Sequence, residues 1–324
     1  MGTSDYAIVI GIERYDDPGL GVLKGPGRDA RRFCEWVTDP GGGAVSPDNV
    51  VVLAAEEPEP EANIQRIEQA FVKLCQSTTN RYRGRRLYIY LAGHGIAQNA
   101  HEASMLAADG GRNERERHVP GWHWLNWFLE SAYFDEVVLF SDCCRTVDGQ
   151  WPVRAFPLPQ VKRGSPKRVH WVRGYAARYG GMALELRSDG GDRGAFTEAL
   201  MEALRGARNE DGDVTASSVA AYFNTPPEVE SVAWRDQEPS IVFSGDLVFS
   251  SRRASHTSVH LLVKGGARPV VEGGPGQRQW KVREGDLPGE YRVDLPRGLY
   301  AASAGDAERF FKVSGEPGDF HVSF

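Results

Sequence analysis

The sequence is poor in cysteine: Cys34, Cys75, Cys143 and Cys144 are its only four in 324 residues. They make no spaced framework, and the neighbours Cys143 and Cys144 are badly placed to bridge each other, so a disulfide scaffold is excluded and a reducing cytoplasm is the expected location. Long apolar runs are missing as well. The opening MGTSDYAIVIGIERYDD turns acidic and polar after about six apolar residues, too few for a signal-peptide core or a membrane span. A basic excess is absent too. The net charge of −6 makes no general case for nucleic acid as a partner and suits a cationic one better. One local absence has the opposite sign: residues 149 to 184 hold no Asp or Glu, but do hold Arg154, Lys162, Arg163, Lys167, Arg168, Arg173 and Arg178.

What is present describes an ordinary folded chain, with 41% hydrophobic and 25% charged residues, long enough for one main domain and a smaller one. YAIVIGI (6 to 12) reads as a strand buried on both faces. GRDARRFCEWV (27 to 37) follows with helical spacing, then NVVVL (49 to 53) as strand, EANIQRIEQAFVKLC (61 to 75) as helix and RRLYIYLAG (85 to 93) as strand. PGWHWLNWFLES (120 to 131) is a helix by its early Pro and bulky apolar face, and FDEVVLFSD (134 to 142) a fourth long strand. The alternation predicts an α/β fold, a mostly parallel sheet sandwiched by helices, with ligands outside the carboxyl ends of the strands. GQWPVRAFPLPQVKRGSP (149 to 166) has four prolines and no period, which predicts an exposed loop. Strand VHWVRGYAA (169 to 177), helices at 194 to 206 and 215 to 224, and strand PSIVF (239 to 243) complete a domain over 1 to 250. From 255 to 324 short alternating runs between Gly and Pro predict a small β-sandwich-like accessory domain.

A cysteine attacks as thiolate and needs a base to become one. His94 lies between glycines in LAGHG, at the end of a strand, as SDCC lies at the end of another. Gly95 and Cys144 could offer N–H groups to an oxyanion. Cys34 and Cys75, inside amphipathic helices, read as small core residues. His101, His118 and His123 form no short Cys/His ligand pattern, so no metal is expected.

YAIVIGIERYDDPG, LKGPGRDA, LYIYLAGHG, VVLFSDCCRT and RGAFTEALMEALRG, in this order across residues 5 to 245, resemble the caspase-like cysteine peptidases, the bacterial metacaspase type above all. The 50 residues from His94 to Cys144 match a spacing recorded for caspases. The resemblance implies a caspase-like fold and a cysteine endopeptidase. Metacaspases read Asp-Ser-Cys-His-Ser-Gly at the nucleophile. Laying Asp142 on that aspartate makes Cys144 the nucleophile and sets Cys143 on the serine; His94 matches the general base. Asp29 and Asp142 match the acidic floor of the pocket for the residue before the cut, which implies cleavage after Arg, then Lys. Arg145 and Thr146 depart from the metacaspase pattern, and Ala92 stands where Ser is common. No ligand-spaced acidic loop supports the calcium that some relatives need, so no cofactor is expected.

The resemblance also implies a zymogen. The basic stretch 149 to 168 lies where relatives are processed, with Arg154, Arg163 and Arg168 as candidate cutting sites for the protein itself or an upstream protease. Expected partners are protein substrates with exposed Arg or Lys, not nucleic acid or membrane, and a role as effector of defence or cell death fits the family. The competing reading is a silent scaffold acting through its β module.

Overall fold

The structure is a computed structural model and describes residues 5–55, 62–76, 83–131, 133–148, 150–159, 168–187, 191–224, 237–251, 257–263, 267–273, 278–285, 287–295, 298–305, 307–313 and 319–324. The chain divides into two compact units, one of residues 1–207 and 214–250, the other of 208–213 and 251–324.

The first unit is built in the order β1 (Tyr6–Ile12), α1 (Pro26–Thr38), β2 (Val50–Ala55), α2 (Ile64–Gln76), β3 (Gly84–Gly93), α3 (Gly121–Ser131), β4 (Phe134–Cys143), β5 (His170–Tyr175), α4 (Ala195–Gly206), α5 (Ala216–Asn224) and β6 (Ser240–Ser244). The sheet order is β6-β5-β4-β3-β1-β2. Neighbours from β2 to β5 pair in parallel and only β6 runs antiparallel, against β5. This is a caspase-like fold, a mostly parallel sheet with helices on both faces.

Strand periodicity sorts the residues between the two faces. Ile8, Ile10, Leu87, Ile89, Val137 and Leu139 pack with Phe71 of α2 and Phe128 of α3. Ala7, Val9, Tyr88, Tyr90, Val138 and Phe140 pack with Phe33 of α1, Leu200 of α4 and Val219 of α5. A short four-stranded sheet, made of Gly95–Ala97, Ser104–Leu106, His118–Pro120 and Thr146–Val147, directly continues the ends of β3 and β4.

The stretch after β4 is, over its described residues 150–159, a loop without helix or strand in which Gln150, Pro152, Val153, Ala155 and Pro159 are exposed, but it is anchored. Trp151 and Phe156 are buried, and the Phe156 ring stacks on Trp127 with centroids 4.0 Å apart. Arg154 is tied down: its Nε donates to Glu68 at 2.6 Å, its Nη1 to the Glu116 carbonyl at 2.8 Å, and its own carbonyl accepts from Trp124 Nε1 at 3.3 Å. The prolines and missing period concealed two aromatic anchors. Arg168 is exposed; Arg163 lies outside the described residues.

The second unit holds two four-stranded sheets. Val259, Leu261, Val293, Leu295 and Val322 from one, and Val271, Tyr300, Ala302 and Val313 from the other, share one core. Among the described residues no helix is long and apolar enough to cross a membrane.

Candidate active site

The register of β3 on β4 places Ala92 opposite Asp142 and Gly93 opposite Cys143. Alternation then decides which side chains emerge together. Asp142 follows Val138 and Phe140 onto the face of α1 and α4, whereas Cys143 follows Val137 and Leu139 to the other face and is buried in that core. Its Sγ sits 3.8 Å from the Leu91 carbonyl. Burial, with Asp142 and Cys144 beside it, pushes the Cys143 thiol far above its ordinary range.

Cys144 and His94, one step beyond the strand ends, line a single cavity of about 180 Å³ with Asp29, Asp142, Glu185 and Gly194. The structure therefore brings together the four side chains singled out by sequence. The His94 Nε2 lies 2.7 Å from the Gly21 carbonyl. A carbonyl only accepts, so Nε2 carries the proton of the neutral ring and Nδ1 keeps its lone pair. Tyr15 fixes the same residue from behind. Its hydroxyl accepts the His94 N–H at 2.7 Å and donates to the Ile12 carbonyl at 3.3 Å, and the two rings lie 4.9 Å apart. The Cys144 Sγ faces the Ala183 carbonyl at 3.8 Å. Burial, with Asp142 beside it, raises the Cys144 thiol above its ordinary value, so the resting group is a thiol and must lose its proton when substrate arrives.

Gly95 begins the strand that turns over this site. The Leu106 N–H donates to the His94 carbonyl at 2.9 Å, spanning the Gly95–Met105 pair, so the Gly95 N–H is directed away from Met105. A side chain at Gly95 would put its Cβ 2.6 Å from the Cys143 Cβ and 2.7 Å from the Cys144 carbonyl; only glycine lets this backbone lie so close to the cysteine pair.

At the cavity floor both aspartates are held by the start of α4. Asp29 Oδ2 accepts the Gly194 N–H at 2.6 Å; Asp142 Oδ2 accepts the Thr197 N–H at 3.1 Å and hydroxyl at 2.6 Å. These are orphan N–H groups of a helix N-terminus, capped by carboxylates from β4 and α1. Asp29 Oδ1 is buried without a hydrogen-bond partner. Arg32 stands 3.9 Å from it and is bound by Glu198 at 2.5 Å. Burial, then the neighbouring Asp142, pushes Asp29 up to about 8. Asp142 is pushed up to about 6 by burial, against the two bonds from Thr197. A Cβ on Gly194 would overlap the Asp142 carboxylate, so glycine keeps the pocket open.

Glu185 escaped the sequence reading. It sits on a two-residue strand, Glu185–Leu186, paired with Arg193–Gly194, and its Oε1 accepts the N–H groups of Lys24 at 3.0 Å and Gly25 at 2.7 Å. Such a short strand has no period to read. Arg145 is no part of the cavity. Its guanidinium turns inward, donating to the carbonyls of Glu102, Ala177 and Ala100 at 3.0, 3.2 and 2.6 Å and lying 4.6 Å over the Tyr175 ring, which braces the turn after Cys144. His118 is buried, placed between the Arg115 carbonyl at 2.8 Å and the Gln98 amide at 3.1 Å, and burial lowers it to about 4. Among the described residues no group of three or more His, Cys, Asp or Glu is placed to hold a metal ion.

A thiol and an imidazole of fixed tautomer line one cavity at the carboxyl edge of a parallel sheet, an arrangement suited to nucleophilic chemistry by cysteine on an α/β fold. The family model of the caspase domain matches residues 4–244, and the chain belongs to that family. A probable protease of a Desulfuromonadales bacterium is 30% identical over 225 residues, which cover 63% of this chain and 26% of that protein. The chain thus spans about a quarter of the length of that curated relative. Among solved structures, caspase-1 from Spodoptera frugiperda is similar with a TM-score of 0.47 and 15% identity, over 78% of this chain and 92% of that one. Pro-sf-caspase-1 is similar with a TM-score of 0.42 and 16% identity, over 75% and 92%.

Proposed function

We propose that this caspase-family chain is a cysteine endopeptidase that cleaves proteins after arginine, and less well after lysine, with Cys144 as nucleophile and His94 as base. The observation that carries the specificity is the buried Asp29 Oδ1, which accepts no hydrogen bond and has only the Arg32 guanidinium at 3.9 Å, in a cavity lined also by Asp142 and Glu185. A guanidinium supplies the missing donors and neutralises the carboxylates that burial disfavours. An aspartate side chain would add another negative charge, so cleavage after Asp is disfavoured.

The chemistry follows from the tautomer. His94 Nδ1 takes the proton of Cys144 Sγ as the sulfur adds to the scissile carbonyl carbon. The resulting oxyanion is met by the N–H groups of Cys144 and Gly95. The C–N bond breaks as the imidazolium returns its proton to the leaving amine, and water hydrolyses the thioester to free acid and thiol. The Gly21 carbonyl holds Nε2–H, which leaves Nδ1 as the nitrogen free to accept a proton.

Fluorogenic peptides differing only in the residue before the cut test this reading. Arginyl peptide should exceed lysyl peptide by about tenfold in kcat/KM, because a point charge replaces a fork, and aspartyl peptide should fall about a thousandfold or more below arginyl. Preference for the aspartyl peptide would refute the cation pocket.

Activation by cutting within 149–168 belongs to the same proposal, with Arg168 favoured by its exposure and Arg154 disfavoured by its ion pair and buried neighbours. Intact mass of the purified protein, set against Cys144→Ala, reads it: wild type should lose chain continuity at this segment and the variant should not. Identical masses would exclude self-processing.

A further inference from the structure

Asp142 carries much of the pocket, yet what orients it lies outside the cavity. Its Oδ2 receives both the N–H and the hydroxyl of Thr197, at 3.1 and 2.6 Å. A hydroxyl has one proton to give. With that proton on Asp142, the Thr197 Oγ1 can only accept from the Tyr90 hydroxyl, 2.6 Å away. Donation therefore runs one way, from Tyr90 through Thr197 to the carboxylate. Tyr90 cannot drift, because it is buried and its ring stacks on Phe33 at a centroid distance of 4.6 Å. Thr197 is equally buried, in the first turn of α4. Each member is locked by packing, as a polar network inside a core requires.

We infer that Thr197, backed by Tyr90, is a positioning residue for substrate selection: it fixes the Asp142 carboxylate through Oδ2, so that the carboxylate meets an incoming cation in one orientation. The inference rests on the reading of this cavity as a pocket for arginine. A second consequence is electrostatic. The Thr197 bonds oppose the burial that raises Asp142, so removing the hydroxyl pushes Asp142 further up. Mere capping of α4 predicts a different outcome, since Thr197→Val keeps the backbone N–H that caps and loses only the hydroxyl.

The test compares Thr197→Val, Thr197→Ser and Tyr90→Phe with wild type on an arginyl peptide across pH, each protein first checked for an unchanged circular-dichroism spectrum. Thr197→Val should raise KM about tenfold or more, the range expected for a lost hydrogen bond to a charged group, with kcat changed less than about twofold. Its acid limb of kcat/KM should move to higher pH. Thr197→Ser should restore both, and Tyr90→Phe should shift them the same way by less. A folded Thr197→Val protein with wild-type KM and acid limb overturns the inference, as does one that loses kcat alone. If Thr197→Val does not fold, Tyr90→Phe decides: a shifted acid limb supports the inference and an unshifted one overturns it. Wild-type turnover, measured first, separates the two levels. Absent turnover of arginyl peptide removes the pocket reading and the inference with it, whereas turnover with an unmoved variant profile removes the inference alone.

Discussion

Cys144→Ala should lower kcat on arginyl peptides by about 10⁴ or more, the scale of losing a nucleophile, while Cys143→Ala should stay within about threefold of wild type. Neighbours in sequence differ so widely because the strand sends them to opposite faces. Cys143 lies among the side chains that pack under α2 and α3, where burial raises its thiol and disfavours the thiolate. Its loss removes one buried sulfur, worth about 1 kcal/mol of stability. Cys144 instead lines the cavity with His94. Because burial raises its thiol too, activity depends on the imidazole to take the proton. His94→Ala should therefore fall nearly as far, and the double variant little further, since the two act as one unit. Steady-state rates at pH 7.5, with thermal melts to show that each variant folds, check the set. A Cys143→Ala protein that folds and is inactive would exchange the roles.

Most of this was legible because the signals are regular. A continuous apolar strand, a helix with an apolar face and a strand end carrying a polar residue fix both periodicity and edge, and β1, β3 and β4 lie within a residue or two of where the pattern places them. The register of Ala92 on Asp142 is what makes 94 and 144 partners, and two strand ends on a parallel sheet are expected to share an edge. What lay hidden depends on contacts across long stretches of chain. Glu185 joins the site through two backbone N–H groups some 160 positions away. Thr197 reads in sequence as a neutral residue in a first helical turn; only the approach of β4 gives it a carboxylate to hold. The anchoring of the stretch after β4 was hidden because proline and glycine punctuate a surface loop and an anchored one alike; Phe156 is buried against Phe71 of α2 and Trp124 of α3, and Trp151 against Ile96 and Leu106 of the short sheet.

Affinity for arginine should rise with pH through the window from about 6 to about 8, the values to which burial pushes Asp142 and Asp29. The empty pocket holds protons on these acids, and a guanidinium binds the ionised forms. Below about 8 one proton must leave as the cation enters, so affinity should fall about tenfold per pH unit; below about 6 a second must leave and the slope should approach two. Catalysis confounds such a profile, because His94 must also be neutral to act as base. Cys144→Ala protein removes that difficulty: calorimetry with an arginine-terminated product peptide reads binding alone, and its heats in buffers of different ionisation enthalpy count the protons released. The stability of the empty protein should change in the opposite sense. An acid whose folded value is raised holds protons that the unfolded chain gives up, so the folded state loses ground as pH rises from about 4 to about 8. The same peptide relieves that loss by pairing the ionised carboxylates, and its stabilising shift in melting temperature should be larger at pH 8.5 than at pH 5.5. Affinity that stays level from pH 5.5 to 8.5, with no proton released, would show that the two aspartates are not the groups that receive the cation.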